Sequence, residues 1–240
     1  MLKDSLALGE HLGELRRRLV WILLMLAATM IAGFFIAGPI LEYFKQAEPA
    51  SRITWNAFTP WDGLRVYLQV AFLISLVVTV PFTLYHLWSF VKPGLRELEQ
   101  KAALRYIPYS VVLFFVGLGF AYFIVFPNVF KFTSTFNEDL DLVETYGIAQ
   151  YFSFMFNILL PLSLLFELPV IIMFLTRLRL LKPMLLRKWR RYSYMLLLIT
   201  ATFVTPPDVI SVLMVAIPLI VLYEASVILS GYIYSRQEHS

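Results

Sequence analysis

The chain has no cysteine among its 240 residues. That excludes a disulfide framework, a thiolate nucleophile and any cysteine metal site. Charge is also scarce: Asp, Glu, Lys and Arg make up 15% of the sequence, against about 25% in a typical soluble domain. Histidine occurs three times (His11, His86 and His239), far apart and without metal-ligand spacing. No G-x-x-x-x-G-K-[ST] or H-E-x-x-H run is present, so neither a phosphate-cradling loop nor a zinc-protease helix is indicated. No internal repeat is visible, which disfavours the inverted-repeat transporters. What the chain does have is apolar: 60% of it is hydrophobic. A soluble fold of this size cannot hide that much apolar surface, because many of its residues must face water. Lipid is therefore the expected solvent. The formal net charge of +4 does not point to nucleic acid, because the basic residues lie between apolar runs and form no patch with interleaved aromatics.

Spanning helices need about 20 mostly apolar residues. Six candidate runs fall at 20–37, 66–88, 107–126, 152–175, 192–204 and 209–229. The first is expected to end at Gly38-Pro39 and the third at Pro127. Pro81, Pro161, Pro169 and Pro218 lie inside runs, where neighbouring helices can satisfy the freed carbonyls. The fifth run is short. Its 13 residues reach about 20 Å at about 1.5 Å each, against a hydrocarbon core of about 30 Å. Thr205-Pro206-Pro207-Asp208 then turns the chain straight back. Such a hairpin either thins the bilayer locally or is shielded by its neighbours.

Of the 20 basic residues, 16 lie in the N-terminal segment, the second and fourth loops and the C-terminal tail. The other side keeps Lys45, Arg52, Arg65 and Lys131. By the positive-inside rule both termini are cytoplasmic. The expected fold is an all-α integral membrane protein with six transmembrane helices and short fifth and sixth helices. Residues 1–240 are read as a single membrane domain, with an amphipathic N-terminal helix at 1–19, a bundle at 20–230 and a cytoplasmic tail at 231–240. The first run is too long, and its lead too acidic at Glu10 and Glu14, for a cleaved signal peptide.

The informative residues are acids. Leu8, Leu12, Leu15 and Leu19 follow helical spacing, so residues 8–19 form an amphipathic helix at the interface. On spacing alone, Glu14 is an intrahelical partner for Arg17 or Arg18, worth about 0.2–0.5 kcal/mol; the alternative is a carboxylate offered to a cationic ligand. Glu97 and Glu99 stand among bases in the second loop, the usual sign of a solvated charged loop. Glu167 stands in the middle of the fourth run, where an ionisable side chain is expensive and marks a functional site by default. A structural alternative is a carboxyl bonded to Gln69, Ser75 or Thr79 on the second run. Glu224 lies where it can reach the interface.

Six segments together resemble the TatC family of the twin-arginine protein translocase. They are HLGELRRRL (11–19), PFTLYHLWSFVKPGL (81–95), FFVGLGFAYFIVFP (114–127), FELP (166–169), TPPDV (205–209) and AIPLIVLYE (216–224). His86 stands where the family often has Gln, and Leu98-Glu99-Gln100-Lys101 replaces a common His-Glu followed by two bases. The resemblance implies a membrane receptor for signal peptides with paired arginines on folded cargo, driven by the proton motive force, with no catalysis and no cofactor or metal. It implies small single-span translocase subunits (TatA/TatB type) and the lipid bilayer as partners, leaves self-association open, gives no role to nucleic acid, and places the protein in the bacterial cytoplasmic membrane. It assigns Glu14, Glu99, Arg16 and Phe90 to signal-peptide binding, Glu167 to a buried acid, and Pro206 and Asp208 to the periplasmic hairpin. A guanidinium suits that role, since it makes two parallel bonds to a carboxylate. The rival reading is a secondary transporter or channel with Glu167 as its coupling acid.

Overall fold

The computed structural model describes residues 2–92, 106–205 and 208–238, with the side chains of 2–12, 52, 91, 106 and 236–238 excepted. Every regular element among them is helical, and an isolated bridge joins Asn56 to Gly147. The helices are α1 (Leu2–Gln46), α2 (Asp62–Val91), α3 (Tyr106–Phe120), α4 (Phe126–Asp139), α5 (Ile148–Leu165), α6 (Leu168–Arg177), α7 (Pro183–Lys188), α8 (Arg190–Val204) and α9 (Val209–Glu238). Five helical stretches are long and apolar enough to cross a membrane: Gly13–Gln46, Asp62–Phe90, Ile107–Asp139, Ile148–Arg177 and Val209–Ser235. The fifth expected run is α8, a helix of only 15 residues, or about 22 Å.

Proline placement explains where the helices depart from the expected boundaries. The first helix does not stop at Gly38-Pro39 but runs on to Gln46. A proline there removes one hydrogen bond and is tolerated where the helix is otherwise held. Pro127 does not end the third run either. The chain passes from α3 through a π-helical turn, Ala121–Val125, into α4, with Pro127 in the first turn. The wider turn relieves the clash between the proline ring and the carbonyl four residues back. The fourth run, by contrast, breaks. α5 ends at Leu165, the Phe166 and Glu167 amides bond back to Leu162 and Leu164 at 3.0 and 3.1 Å, and α6 restarts with Pro169 in its first turn. Glu167 is thus the N-cap residue of a new helix and not a mid-helix residue. The sixth expected helix is not short: α9 has 30 residues. No proline follows Pro218, so the ladder continues past Leu229 to Glu238.

The core lies around α5. Phe152, Met155, Phe156, Leu159 and Leu162 are fully buried, packed with Phe126 and Leu219 from other helices. An aromatic cluster closes the end where α2 begins: Trp55 meets Tyr151 at 5.2 Å and Phe152 at 5.6 Å, and Tyr151 meets Phe126 at 5.6 Å. Asp62 fixes that end of α2, accepting from the Phe58 and Thr59 amides at 2.8 and 3.0 Å. Two close approaches need glycine. A Cβ on Gly33 of α1 would stand 2.9 Å from the Ala71 carbonyl of α2, and one on Gly117 of α3 would stand 2.7 Å from Phe166 Cβ. More than half of the most apolar stretch of α5–α6 is buried inside the chain, but hardly any of that in α1, which packs chiefly on α2.

Candidate ligand-binding site

Glu14 and Arg18 are one helical turn apart on α1, so their side chains meet. Arg18 Nη2 donates to Glu14 Oε1 at 2.5 Å, and Arg18 Nε donates to the same oxygen at 3.1 Å. The guanidinium also reaches across to α2. Nη1 donates to the His86 carbonyl at 3.3 Å and Nη2 to the Ser89 carbonyl at 3.0 Å. Those carbonyls lie in the last two turns of α2, toward the negative end of its dipole. Arg18 is the more enclosed partner, with 18% of its side chain exposed against 37% for Glu14. Beside the pair is a pocket of about 240 Å³ lined by Glu14, Arg17, Arg18, Trp21 and His86.

A second, apolar cavity of about 520 Å³ lies nearby. Leu15, Thr79, Phe90, Glu167, Phe174 and Leu180 are among its walls. It brings together two of the residues singled out in the sequence, Phe90 at the end of α2 and Glu167 at the α5–α6 break. Glu167 is 2% exposed. Ser110 of α3 is the polar group that interacts with it, yet neither carboxylate oxygen, nor the Ser110 hydroxyl, has a hydrogen bond among the described residues. The suggested partners on α2 are engaged elsewhere. Gln69 donates to Ser153 at 2.9 Å, Ser75 donates to the Phe72 carbonyl at 2.7 Å, and Thr79 is 3.4 Å from Thr29.

The remaining sequence candidates sit apart. Arg16 is exposed and makes no ion pair with Glu14 among the described residues. Glu99 and Pro206 lie outside the described residues. Asp208 begins α9, where its Oδ1 accepts the Ser211 amide at 2.7 Å as a helix cap. Glu224 does more than reach the interface. Arg190 Nη2 donates to it at 2.6 Å and the Tyr194 hydroxyl donates to its other oxygen, tying α8 to α9. Sequence reading missed Arg18 as a bridge and Tyr194 as a partner. Both contacts join residues at least 30 positions apart, and no local spacing signals them.

Residues 10–218 match the family model described as "Sec-independent protein translocase protein (TatC)". The chain belongs to the TatC family. It is 45% identical over 237 residues to the Sec-independent protein translocase protein TatCy of Bacillus subtilis (strain 168), covering 99% of this chain and 93% of that one. It is 44% identical to the TatC protein of Halalkalibacterium halodurans, covering 98% and 93%. A crystal structure described as the twin arginine translocase receptor TatC superposes with a TM-score of 0.77 at 26% identity, covering 93% of this chain and 99% of that one. The chain is thus a protein translocase component of the bacterial cytoplasmic membrane, a multi-pass transport protein and not an enzyme.

Proposed function

We propose that this translocase subunit is the receptor for signal peptides bearing two consecutive arginines, and the core on which small single-span subunits assemble to export folded proteins at the expense of the proton motive force. Six transmembrane passes and cytoplasmic termini belong to the same reading. One observation carries it: the Glu14 carboxylate already holds a guanidinium in a partly enclosed position, so the site's chemistry is that of arginine recognition. The apolar cavity between Phe90 and Glu167 supports it, because a signal peptide continues as an apolar stretch that needs such a wall. Glu99 is proposed as the second carboxylate, and Arg16 as a further contributor at the same end. A secondary transporter would use Glu167 and leave Glu14 only its structural pairing with Arg18.

The test is binding of a paired-arginine signal peptide to the full chain in lipid nanodiscs. Glu14→Gln is expected to weaken binding at least about tenfold, or about 1.4 kcal/mol. A Lys-Lys peptide is expected to lose at least as much on the unaltered chain, since an ammonium cannot form the two-bond fork. Unchanged affinity in Glu14→Gln would remove Glu14 from the site.

A further inference from the structure

We infer that His86 is a further specificity-determining residue of the arginine pocket, one that admits a guanidinium only while its imidazole is uncharged. This rests on the receptor reading above and names what regulates that site.

His86 forms the α2 wall of the pocket whose α1 wall carries Glu14, Arg17, Arg18 and Trp21. At about 240 Å³ the pocket is small, so a guanidinium that enters it lies close to every wall. The imidazole is held in place. Phe82, one turn earlier on α2, meets it edge-on at 4.4 Å, and the Tyr85 ring meets it edge-on at 5.7 Å. The His86 carbonyl accepts from Arg18 Nη1 at 3.3 Å. Ring nitrogen Nδ1 is buried, with no hydrogen-bond partner among the described residues. No acid makes an ion pair with the ring among those residues either. A charge gained on His86 therefore has no partner of its own.

The charges around the ring make its state decisive. Glu14 is the pocket's single acid, against two bases, Arg17 and Arg18. Arg18 already donates to Glu14 Oε1, and Oε2 has no partner among the described residues. With a neutral ring, Oε2 is open to an incoming guanidinium, and the flat imidazole offers a face on which that group stacks. With a charged ring, a third resident cation stands beside the one carboxylate. It repels the ligand and draws on the same acid, and in a partly enclosed site both effects exceed those in open water. Histidine is the side chain that changes charge between about pH 5 and 8, and His86 is the pocket's one histidine. The charged groups that α1 turns toward it are Glu14, Arg17 and Arg18. On α2 the adjacent titratable group is Tyr85, and Lys92 lies farther along, 5.2 Å from the Trp88 ring. α3 and α5, which also pack on α2, contain no charged residue. Glu167 lines the apolar cavity and not this pocket. Capture thus weakens as the solution on that side of the membrane acidifies. In the topology proposed above that side is the cytoplasm, so the receptor lets cargo go when the pH component of its driving force has fallen.

The experiment measures the affinity of a synthetic Arg-Arg signal peptide, free of histidine and blocked at both ends, for the full chain in phosphatidylcholine nanodiscs. It compares about pH 8 with about pH 5.5. The unaltered chain is expected to bind about tenfold more weakly at the lower pH. His86→Gln, neutral at both, is expected to hold its affinity within about twofold across the range. His86→Lys, charged at both, is expected to bind as weakly near pH 8 as the unaltered chain does near pH 5.5. His11→Gln, three positions before Glu14 on the same helix, is expected to keep the unaltered profile. A flat profile in the unaltered chain overturns the inference without need of any variant. A drop that persists in His86→Gln, or that disappears in His11→Gln, overturns it too. Equal affinities for His86→Gln and His86→Lys near pH 8 also overturn it, because charge at that position would then be irrelevant. Failure of Glu14→Gln to weaken binding near pH 8 instead overturns the receptor reading, whatever the pH profile shows.

Discussion

Glu224 shows how a single acid can hold an element that burial alone would not. The short helix α8 buries few residues, among them Leu197, Ala201 and Val204. Arg190 and Tyr194 at its start both donate to Glu224 of α9. The neighbouring Tyr223 hydroxyl donates to the Leu186 carbonyl of α7 at 2.8 Å, so the same turn of α9 holds two helices. Removing the carboxylate would leave Arg190, whose Nε already has no partner among the described residues, facing an apolar replacement. Glu224→Leu is expected to lower stability by about 1–3 kcal/mol, read as a reduced thermal midpoint in detergent. Glu224→Gln should lose less, since an amide oxygen still accepts from Tyr194. Equal midpoints for all three proteins would show that the contact contributes nothing.

At the scale of elements, the segment between α4 and α5 is tied down by an acid outside the membrane-spanning stretches. Burial raises the Glu144 carboxyl, but hydrogen bonds from Ser134, Asn137 and Tyr146 together outweigh it and hold it below its ordinary value of 4.5. Asn137 Nδ2 donates at 3.1 Å, and the Ser134 hydroxyl donates to the same oxygen. A carboxyl depressed in the folded state stabilises above its unfolded pKa and loses that contribution as pH falls through the folded value. The thermal midpoint is therefore expected to drop as pH falls below about 4.5, and to drop less steeply in Glu144→Gln. Parallel pH profiles would contradict this.

The helices themselves were largely legible in the sequence, and their ends were not. The six apolar runs fell in helical segments, five of them long enough to cross a membrane, because an apolar stretch in lipid satisfies its backbone as a helix. Pro39 and Pro127 misled as stop signals, because a proline's lost bond can be absorbed inside a packed helix or by a π turn. Pro169 did break its helix, and it placed Glu167 at the junction. The site was half legible. Glu14, Phe90 and Glu167 stood out by type and motif, but the guanidinium that fills Glu14 comes with anchors 68 and 71 residues away. Contacts of that range depend on how two helices cross, which for α1 and α2 is set by the close approach at Gly33.

For the whole molecule, thickness is the governing dimension. α8 spans about 22 Å on its 15 residues, while its neighbours α5–α6 and α9 offer 30 and 27 residues of apolar helix. Phe203 at its far end is 86% exposed and Val209 of α9 is 75% exposed. On the six-pass reading proposed above, a bilayer matched to the long helices is too thick for this hairpin, and a mismatch costs fractions of a kcal/mol per ångström. The folded chain is therefore expected to have a higher thermal midpoint in 14-carbon than in 22-carbon phosphatidylcholine bilayers. An independent or reversed dependence would mean that neighbouring helices fully shield α8. The first helix obeys a different rule. Hardly any residue in the most apolar stretch of α1 is buried inside the chain, and Leu23, Ile31, Phe35 and Ile36 are each more than half exposed. A helix that settles there displaces only acyl chains, and acyl chains return when it leaves. No hydrophobic gain or loss separates the two states, so only packing contacts decide between them. Whatever packs against α1 is thus held by shape and contact alone, and lipid can take its place without unfolding anything.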